Sequence, residues 1–290
     1  MKLNIRGIIF SLGLILIIVY ILLTIYGQSP EYKAEKLFYR ATKNIQKITQ
    51  NPDVIPPKLF TSVENDLNKV IKNFSQTDVA KTAQMVLIEF YIATNKYDKA
   101  ITGIDTVISK PGGDLATLSK AHFLKATVYE KQDKWSKALE EYTTLKDRYA
   151  NTFLGLQAAL YIANHYSKAG DAVRAEQSYA EAAAFYSKTE KDNKATALGY
   201  MAATLLVQSY VGLTKFEDAG KMVQDIINNY PSPSTFEQQL PAVEFIYVKT
   251  LKMPQQAIQI YSDMKEKAVD NRFKAILEKR IEALKKELPA

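Results

Sequence analysis

The chain has 290 residues, of which 47% are apolar and 24% charged, and its net charge is +7. This balance is typical of a folded chain with a substantial core, and it excludes an intrinsically disordered polypeptide. Cysteine is absent, which excludes a disulfide framework, a thiolate zinc site and a lipidated N-terminal cysteine.

The first predicted element is an apolar segment at residues 7–26, which follows a short basic tail at residues 1–6 and contains no charged residue. A helix of this length spans about 30 Å, the thickness of the hydrocarbon core of a bilayer. The alternative is a cleaved signal peptide, whose apolar region is shorter and ends in a small-x-small site. The run is long and lacks such a site, which favours a retained transmembrane anchor.

Basic residues on either side of this segment bear on its orientation. Lys2 and Arg6 favour an N-terminus held in the cytoplasm, whereas the four basic residues from Lys33 to Lys43 argue for the reverse. We favour the first arrangement, because a short basic tail before a first helix is typical of export. It predicts a single-pass inner (cytoplasmic) membrane protein with its folded part in the periplasm or elsewhere outside the cytoplasm. The inward-facing arrangement is the alternative.

Residues 27–268 are predicted to form helix pairs, and residues 269–290 a helix that caps them. Apolar residues three or four apart begin a helix at Glu31, Asn51-Pro52 ends it, and a second helix runs from Phe60 to Phe74. The polar stretch 188–196 is predicted to be a loop or a helix extension. The same spacing predicts later pairs at 78–94 with 97–110, 114–131 with 134–149, 152–168 with 171–187, 192–213 with 215–230, and 235–251 with 254–268.

These pairs share a short sequence motif, here called the repeat phrase, which is clearest in Tyr129, Trp135, Ala138, Tyr142 and Leu145. The first residue ends one helix, a polar turn follows, and the other four lie on one face of the next helix. The alanine recurs at 100, 138, 175, 219 and 257, and a larger residue there would overpack the contact at about 1–3 kcal/mol. The predicted repeat-packing residues are Tyr91, Tyr97, Ala100, Tyr129, Trp135, Ala138, Tyr142, Tyr166, Ala175, Tyr179, Tyr210, Phe216, Ala219, Ala257 and Tyr261.

This phrase resembles the pattern of the tetratricopeptide repeat family, which has an aromatic residue near the end of the first helix and an alanine in the second. The resemblance covers roughly residues 31–268, in five copies. The steps of 37 to 44 residues are longer than the family's usual length, as in membrane-anchored, envelope-associated bacterial members. The resemblance implies an all-α fold, with a transmembrane helix, an α-solenoid of about six helix pairs and a capping helix.

The resemblance also implies that the first helices of the pairs line a groove for partner segments. The candidate groove residues are Met85, Glu89, Phe123, Thr127, Leu160, Asn164, Thr204 and Gln208. Only Asn164 fits the family's carboxylate clamp, whose lysine and arginine are missing, so binding of chaperone tails is not implied. We expect a mixed apolar and polar groove for a helical or extended segment. The tyrosines at the ends of first helices could also line it, but we favour a packing role for them.

Nothing in the sequence predicts catalysis, a metal, a cofactor or a small-molecule substrate. His122 and His165 lack a second ligand at metal-binding spacing, and no Gly-x-Ser-x-Gly elbow is present. Lysine and glutamate alternate along the helices, which predicts solvated faces rather than a nucleic-acid surface. We therefore expect a non-enzymatic, membrane-anchored scaffold that binds envelope proteins in export, assembly or a chaperone-like role. The alternative is a cytosol-facing adaptor or receptor that uses the same groove.

Overall fold

The computed structural model describes residues 29–50 and 56–288, together with Val19. In this part of the chain there are thirteen α-helices and no strands. Consecutive helices form six pairs followed by one last helix, which confirms the predicted all-α fold of tetratricopeptide-like helix pairs. The chain divides into two compact units, Met1–Gly113 and Asp114–Ala290.

The first unit contains the helices α1 (Pro30–Gln50), α2 (Pro57–Asn73), α3 (Asp78–Ala93) and α4 (Tyr97–Ile108). Each packs on the next, and α1 also contacts α3, the first helix of the following pair. Val63 replaces the alanine in the first pair and is fully buried. The Arg40 guanidinium bonds to the buried Asp66 carboxylate, with Nε 2.6 Å from Oδ2, and so ties α1 to α2.

Besides one π-helical segment, the described part of the second unit contains nine α-helices. They are α5 (Leu115–Lys131), α6 (Trp135–Arg148), α7 (Phe153–Lys168), α8 (Ala172–Asp192), α9 (Ala197–Gly212), α10 (Phe216–Asn229), α11 (Pro233–Val243), α12 (Pro254–Lys267) and α13 (Asn271–Glu287). First helices of neighbouring pairs touch, as in α5 with α7 and α7 with α9. The last helix packs on α12 and buries Phe273 and Leu277, as expected for a cap.

First helices of the second unit begin at side-chain caps. The predicted cap Asp114 is confirmed, since its carboxylate accepts from the Thr117 N–H at 2.8 Å. Thr152, Thr196 and Ser232 cap α7, α9 and α11 in the same way, which the sequence analysis did not predict.

The turn within five of the pairs contains one residue in the left-handed region, always four residues after the first residue of the repeat phrase. These residues are Asn95 (φ 57°), Asp133 (56°), Gly170 (74°), Thr214 (56°) and Lys252 (56°). In four copies the next N–H donates back to the carbonyl of the helix-ending tyrosine: Lys96 to Tyr91 (2.7 Å), Lys134 to Tyr129 (2.9 Å), Asp171 to Tyr166 (3.0 Å) and Lys215 to Tyr210 (2.9 Å). This six-to-one bond closes the first helix and sets the direction of the second.

Glycine marks the tightest crossings between pairs. A Cβ on Gly155 would lie 1.9 Å from the Tyr149 carbonyl oxygen, and one on Gly199 would lie 2.2 Å from that of Asn193. Both glycines are the third helical residue after a threonine cap, so the preceding chain runs directly against the start of α7 and α9.

The predicted helix at 235–251 differs from the observed one. Regular α-helix ends at Val243, and a π-helical segment, Glu244–Thr250, follows. Pro241, inside α11, has no N–H to donate, which interrupts the regular ladder just before the wider turn begins. The π segment directs Tyr247 onto α10, where a Cβ on Gly220 would lie 2.6 Å from the tyrosine hydroxyl.

The predicted localisation requires a correction. Across residues 29–50 and 56–288, no helix combines the length and apolar character needed to cross a bilayer. This contradicts the prediction of a single-pass inner-membrane protein with extracytoplasmic repeats, and that prediction is withdrawn. The segment 7–26, on which it rested, lies outside the described residues apart from Val19.

Candidate peptide-binding clefts

A cleft lies between α7 and α9, the first helices of two neighbouring pairs, and has a volume of about 160 Å³. We call it the α7/α9 cleft; it is lined by Gln157, Leu160, Tyr161, Asn164, Leu205 and Gln208. Three of the predicted groove residues therefore meet there. They do so because residues 160 and 164 are one turn apart on α7, and α9 lies beside that face.

Hydrogen bonds fix the polar groups of this cleft. The side-chain oxygen Oδ1 of Asn164 accepts from the Tyr179 hydroxyl at 2.7 Å, and Gln157 Oε1 accepts from the Tyr161 hydroxyl at 2.9 Å. Burial, aided by the nearby Glu130 charge, raises the pKa of Tyr161, so its hydroxyl stays protonated. Leu160 is buried and Gln208 is exposed, which gives the cleft an apolar floor and an amide rim.

The first unit has a cleft at the corresponding place between α1 and α3, with a volume of about 240 Å³. This α1/α3 cleft is lined by Ile45, Ile48, Thr49, Val86, Glu89, Phe90, Ala93 and Thr94. It contains the predicted groove residue Glu89, which is exposed on a mostly apolar surface. Among the described residues, no lysine or arginine lines either cleft, in keeping with the missing clamp residues.

The other predicted groove residues lie on first helices but are used differently. Thr127 and Thr204 are partly buried, and their hydroxyls donate to carbonyls of their own helices, those of Phe123 and Tyr200. Phe123 is also partly buried, with its ring 5.3 Å from that of Tyr161. Met85 is partly buried on α3. None of these four residues lines either cleft, and Phe123 packs on a cleft residue, Tyr161.

The predicted packing residues fall into two groups. Ala100, Ala138, Ala219 and Ala257 are fully enclosed, and Ala175, Tyr91, Tyr142, Tyr166, Tyr179 and Tyr261 are buried. Tyr97, Tyr129, Trp135, Tyr210 and Phe216 are partly buried. The Tyr91 hydroxyl donates to Glu64 at 2.7 Å, so even the polar end of this tyrosine is used inside its own unit.

Both histidines have carboxylate neighbours. His122 Nδ1 lies 2.6 Å from Glu141 Oε2, and Lys125 Nζ lies 3.1 Å from the other oxygen of that carboxylate. The His165 ring stacks on Trp135, with centroids 3.3 Å apart, and burial lowers its pKa despite the charge of Glu130. In the part of the chain that the structure describes, no group of three metal-ligating side chains comes together.

No protein-family model matches the chain, and no curated protein matches it. Three solved structures are similar in outline. A tetratricopeptide repeat protein from Parabacteroides merdae is 9% identical over 87% of this chain and 99% of its own, with a TM-score of 0.32. BtubC (BKLC) from P. vanneervenii is 13% identical over 91% of this chain and 95% of its own, with a TM-score of 0.35. The S. pombe nuclear import adaptor Nro1 is 15% identical over 89% of this chain and 94% of its own, with a TM-score of 0.31. These TM-scores are low, and the chain's own helix pairs define its fold.

Proposed function

We propose that this chain is a non-catalytic protein-interaction scaffold that binds peptide segments of other proteins between the first helices of neighbouring pairs. The observation that carries the proposal is the meeting of Leu160, Asn164 and Gln208 in the α7/α9 cleft. An apolar floor with a few fixed polar groups on its rim is the usual composition of a peptide site. The described residues support neither an envelope role nor a cytosol-facing receptor role, so the proposal is limited to peptide binding.

The chemistry of the α7/α9 cleft defines the segment that would fit. Its lining has amides and a tyrosine hydroxyl but no charged side chain. Such a site recognises backbone amides and apolar side chains rather than a carboxylate or a phosphate. We therefore expect an uncharged, partly apolar segment, whose affinity changes little with salt concentration.

The test is a selection of short displayed peptides on the immobilised full chain, followed by fluorescence anisotropy with a labelled selected peptide. Gln208→Ala removes an exposed rim amide, so folding should be unaffected. We expect a loss of about 0.5–1.5 kcal/mol of binding energy, the usual value of one hydrogen bond, or roughly a two- to tenfold weaker affinity. Raising the salt concentration should change the affinity little.

Gln177→Ala is the matched control, because Gln177 is an exposed glutamine on the second helix α8, where its side-chain amide donates to Glu181 Oε1 at 3.0 Å. It should bind the peptide like the wild type. Equal affinities for both variants, or selected peptides that are all strongly acidic and released by salt, would contradict the proposal.

A further inference from the structure

The second residue of the repeat phrase, at the start of each pair's second helix, is aromatic in three copies but not in all. It is Tyr97, Trp135 and Phe216 in those copies, Pro254 in another, and Ala172 in the copy formed by α7 and α8. The three aromatic residues are partly buried, whereas Ala172 is exposed.

In the second unit the aromatic residue at this position packs on the first helix of the following pair. Trp135 of α6 stacks on His165 of α7, with ring centroids 3.3 Å apart, and meets Tyr166 edge-on at 5.5 Å. Phe216 of α10 meets Phe245 edge-on at 6.2 Å, with the planes at 69°. The repeat thus places an aromatic ring in a defined space between consecutive pairs.

At Ala172 the corresponding space is open. A cleft of about 410 Å³ lies between α8 and the end of α9. Its lining includes Ala172, Ala175, Tyr179, Gly212 and Leu213, together with Gly170 and the polar residues Ser167, Glu176 and Thr214 at its edge. We call it the α8/α9 slot. Ala172 stands there in place of an aromatic residue, and its side chain is too short to reach the following helix as Trp135 and Phe216 do.

The walls of the α8/α9 slot are firmly placed. The Tyr179 ring packs so closely on α9 that a Cβ on Gly212 would lie 2.5 Å from Tyr179 Cε1. Ala175 is buried beneath it, and Tyr179 is held by its hydrogen bond to Asn164. The slot therefore does not depend on a rearrangement to admit a ring.

We infer that the α8/α9 slot binds an aromatic side chain supplied by a partner protein, which would occupy the position that Trp135 and Phe216 fill from within the chain elsewhere. The occupant is defined by the repeat itself, since two equivalent positions of the second unit, those of Trp135 and Phe216, hold aromatic rings packed on the following pair. The inference depends on the proposed function only in taking a protein as the partner. The slot is a second anchor point, separate from the α7/α9 cleft but connected to it by the hydrogen bond from Tyr179 to Asn164.

The test uses N-acetyl-L-tryptophanamide as the probe and the full chain with isotope-labelled alanine and leucine methyl groups. In the wild type we expect saturable chemical-shift changes at Ala175 and Leu213. In Ala172→Trp the chain's own indole should fill the slot, which should weaken probe binding at least tenfold and raise the melting temperature. Val173→Trp is the matched control, because residue 173 is 78% exposed and is not among the residues that line the slot, so probe binding and melting temperature should be unchanged.

Absence of saturable shifts in the wild type, or equal probe binding by Ala172→Trp, would overturn the inference. Should Ala172→Trp lose its dispersed spectrum, Ala172→Phe places a smaller ring at the same position and decides the question. Gln208→Ala should leave probe binding intact while weakening the peptide of the α7/α9 cleft. Failure of the slot and failure of the proposed function are therefore distinguishable.

Discussion

The Tyr179 hydroxyl donates a hydrogen bond to Asn164 Oδ1 at 2.7 Å, and this one contact joins two surfaces. Asn164 lines the α7/α9 cleft, while the ring of Tyr179 lines the α8/α9 slot. The orientation of the amide on one surface is therefore set by the residue that forms the wall of the other.

Removing only this hydroxyl should weaken binding at the α7/α9 cleft without changing binding at the α8/α9 slot. Tyr179→Phe keeps the ring against Gly212 but leaves Asn164 without its donor, so we expect unfolding free energy to fall by about 0.5–1.5 kcal/mol. Peptide binding in the α7/α9 cleft should weaken, and binding of N-acetyl-L-tryptophanamide in the slot should remain. Urea unfolding of Tyr179→Phe, Asn164→Ala and the double variant measures the coupling; additive losses would show that the bond contributes nothing.

Thr214 occupies a left-handed backbone conformation, φ 56°, which is costly for a β-branched residue. Thr214→Gly should relieve this strain and raise the unfolding free energy by roughly 1 kcal/mol, less the entropy that glycine adds to the unfolded chain. Thermal unfolding gives the measurement. Gly170→Thr makes the reverse change at the equivalent turn, where φ is 74°, and should destabilise the chain. If both substitutions raised the unfolding free energy, or both lowered it, this account of the turn would be contradicted.

Ala138 is fully enclosed in a cluster with Ala126, Tyr142, Leu145 and Ala158. Ala138→Leu should therefore overpack the contact between α5 and α6 and lower the unfolding free energy by about 1–3 kcal/mol. Ala180→Leu, at an exposed position of α8, is the control and should change stability by less than about 0.5 kcal/mol. Equal denaturation midpoints for the two variants would show that the assigned register is wrong.

Gly155→Ala should be strongly destabilising, although alanine is the better helix former by about 1 kcal/mol. The new Cβ would lie 1.9 Å from the Tyr149 carbonyl oxygen, and that backbone atom cannot turn aside as a side chain could. We expect a net loss of more than about 1 kcal/mol in urea unfolding, because the helices must separate. A variant as stable as the wild type would mean that α7 does not cross the preceding turn so closely.

The acid stability of the second unit should depend on Glu141. Burial opposes its ionisation, but hydrogen bonds from His122 and Lys125, together with their charges, outweigh burial, so its pKa lies below the ordinary value of 4.5. A carboxylate whose pKa is lowered by folding stabilises the fold above the unfolded pKa. The contribution should be complete above about pH 4.5 and disappear as the pH falls through the folded pKa.

Urea unfolding of Glu141→Gln at a series of pH values checks this expectation. The variant should be less stable than the wild type near neutral pH, and the difference should shrink in acid. Glu140→Gln, at the exposed neighbouring position, is the control and should follow the wild type throughout. A difference between Glu141→Gln and the wild type that stays constant with pH would show that the ion pairs are not responsible.

Most helix bounds could be predicted from the sequence because two signals agree in this chain. Apolar residues three or four apart mark each helix, and short polar turns separate them. The predicted helix at 97–110, for example, is observed at Tyr97–Ile108. The widened turn at Glu244–Thr250 could not be found in this way, because its apolar residues fit α- and π-helical spacing about equally well.

Sequence reasoning located part of the candidate site. It placed Leu160, Asn164 and Gln208 on neighbouring first helices, but which of eight candidates face a cleft depends on how those helices rotate against each other. Thr127 and Thr204 illustrate the limit, since their hydroxyls turn back to their own helices. The α8/α9 slot had a signal in the sequence, the alanine at 172 where other copies have an aromatic ring. That this alanine leaves a space open could not be inferred until the packing of Trp135 on His165 showed where the ring lies in another copy.

The left-handed residue of each turn has a consequence for how this chain can change in length. Four of the turns close with the same six-to-one bond, so the number of residues between the end of the first helix and the start of the second is fixed. The longest step between equivalent alanines is the 44 residues from Ala175 to Ala219. Its extra residues lie far from the turn within the pair, at the C-terminal end of α8, which continues to Asp192 before α9 begins. Insertions should therefore be rejected at the turns within the pairs, whereas extra length can be accommodated by lengthening the second helix of a pair, as in α8.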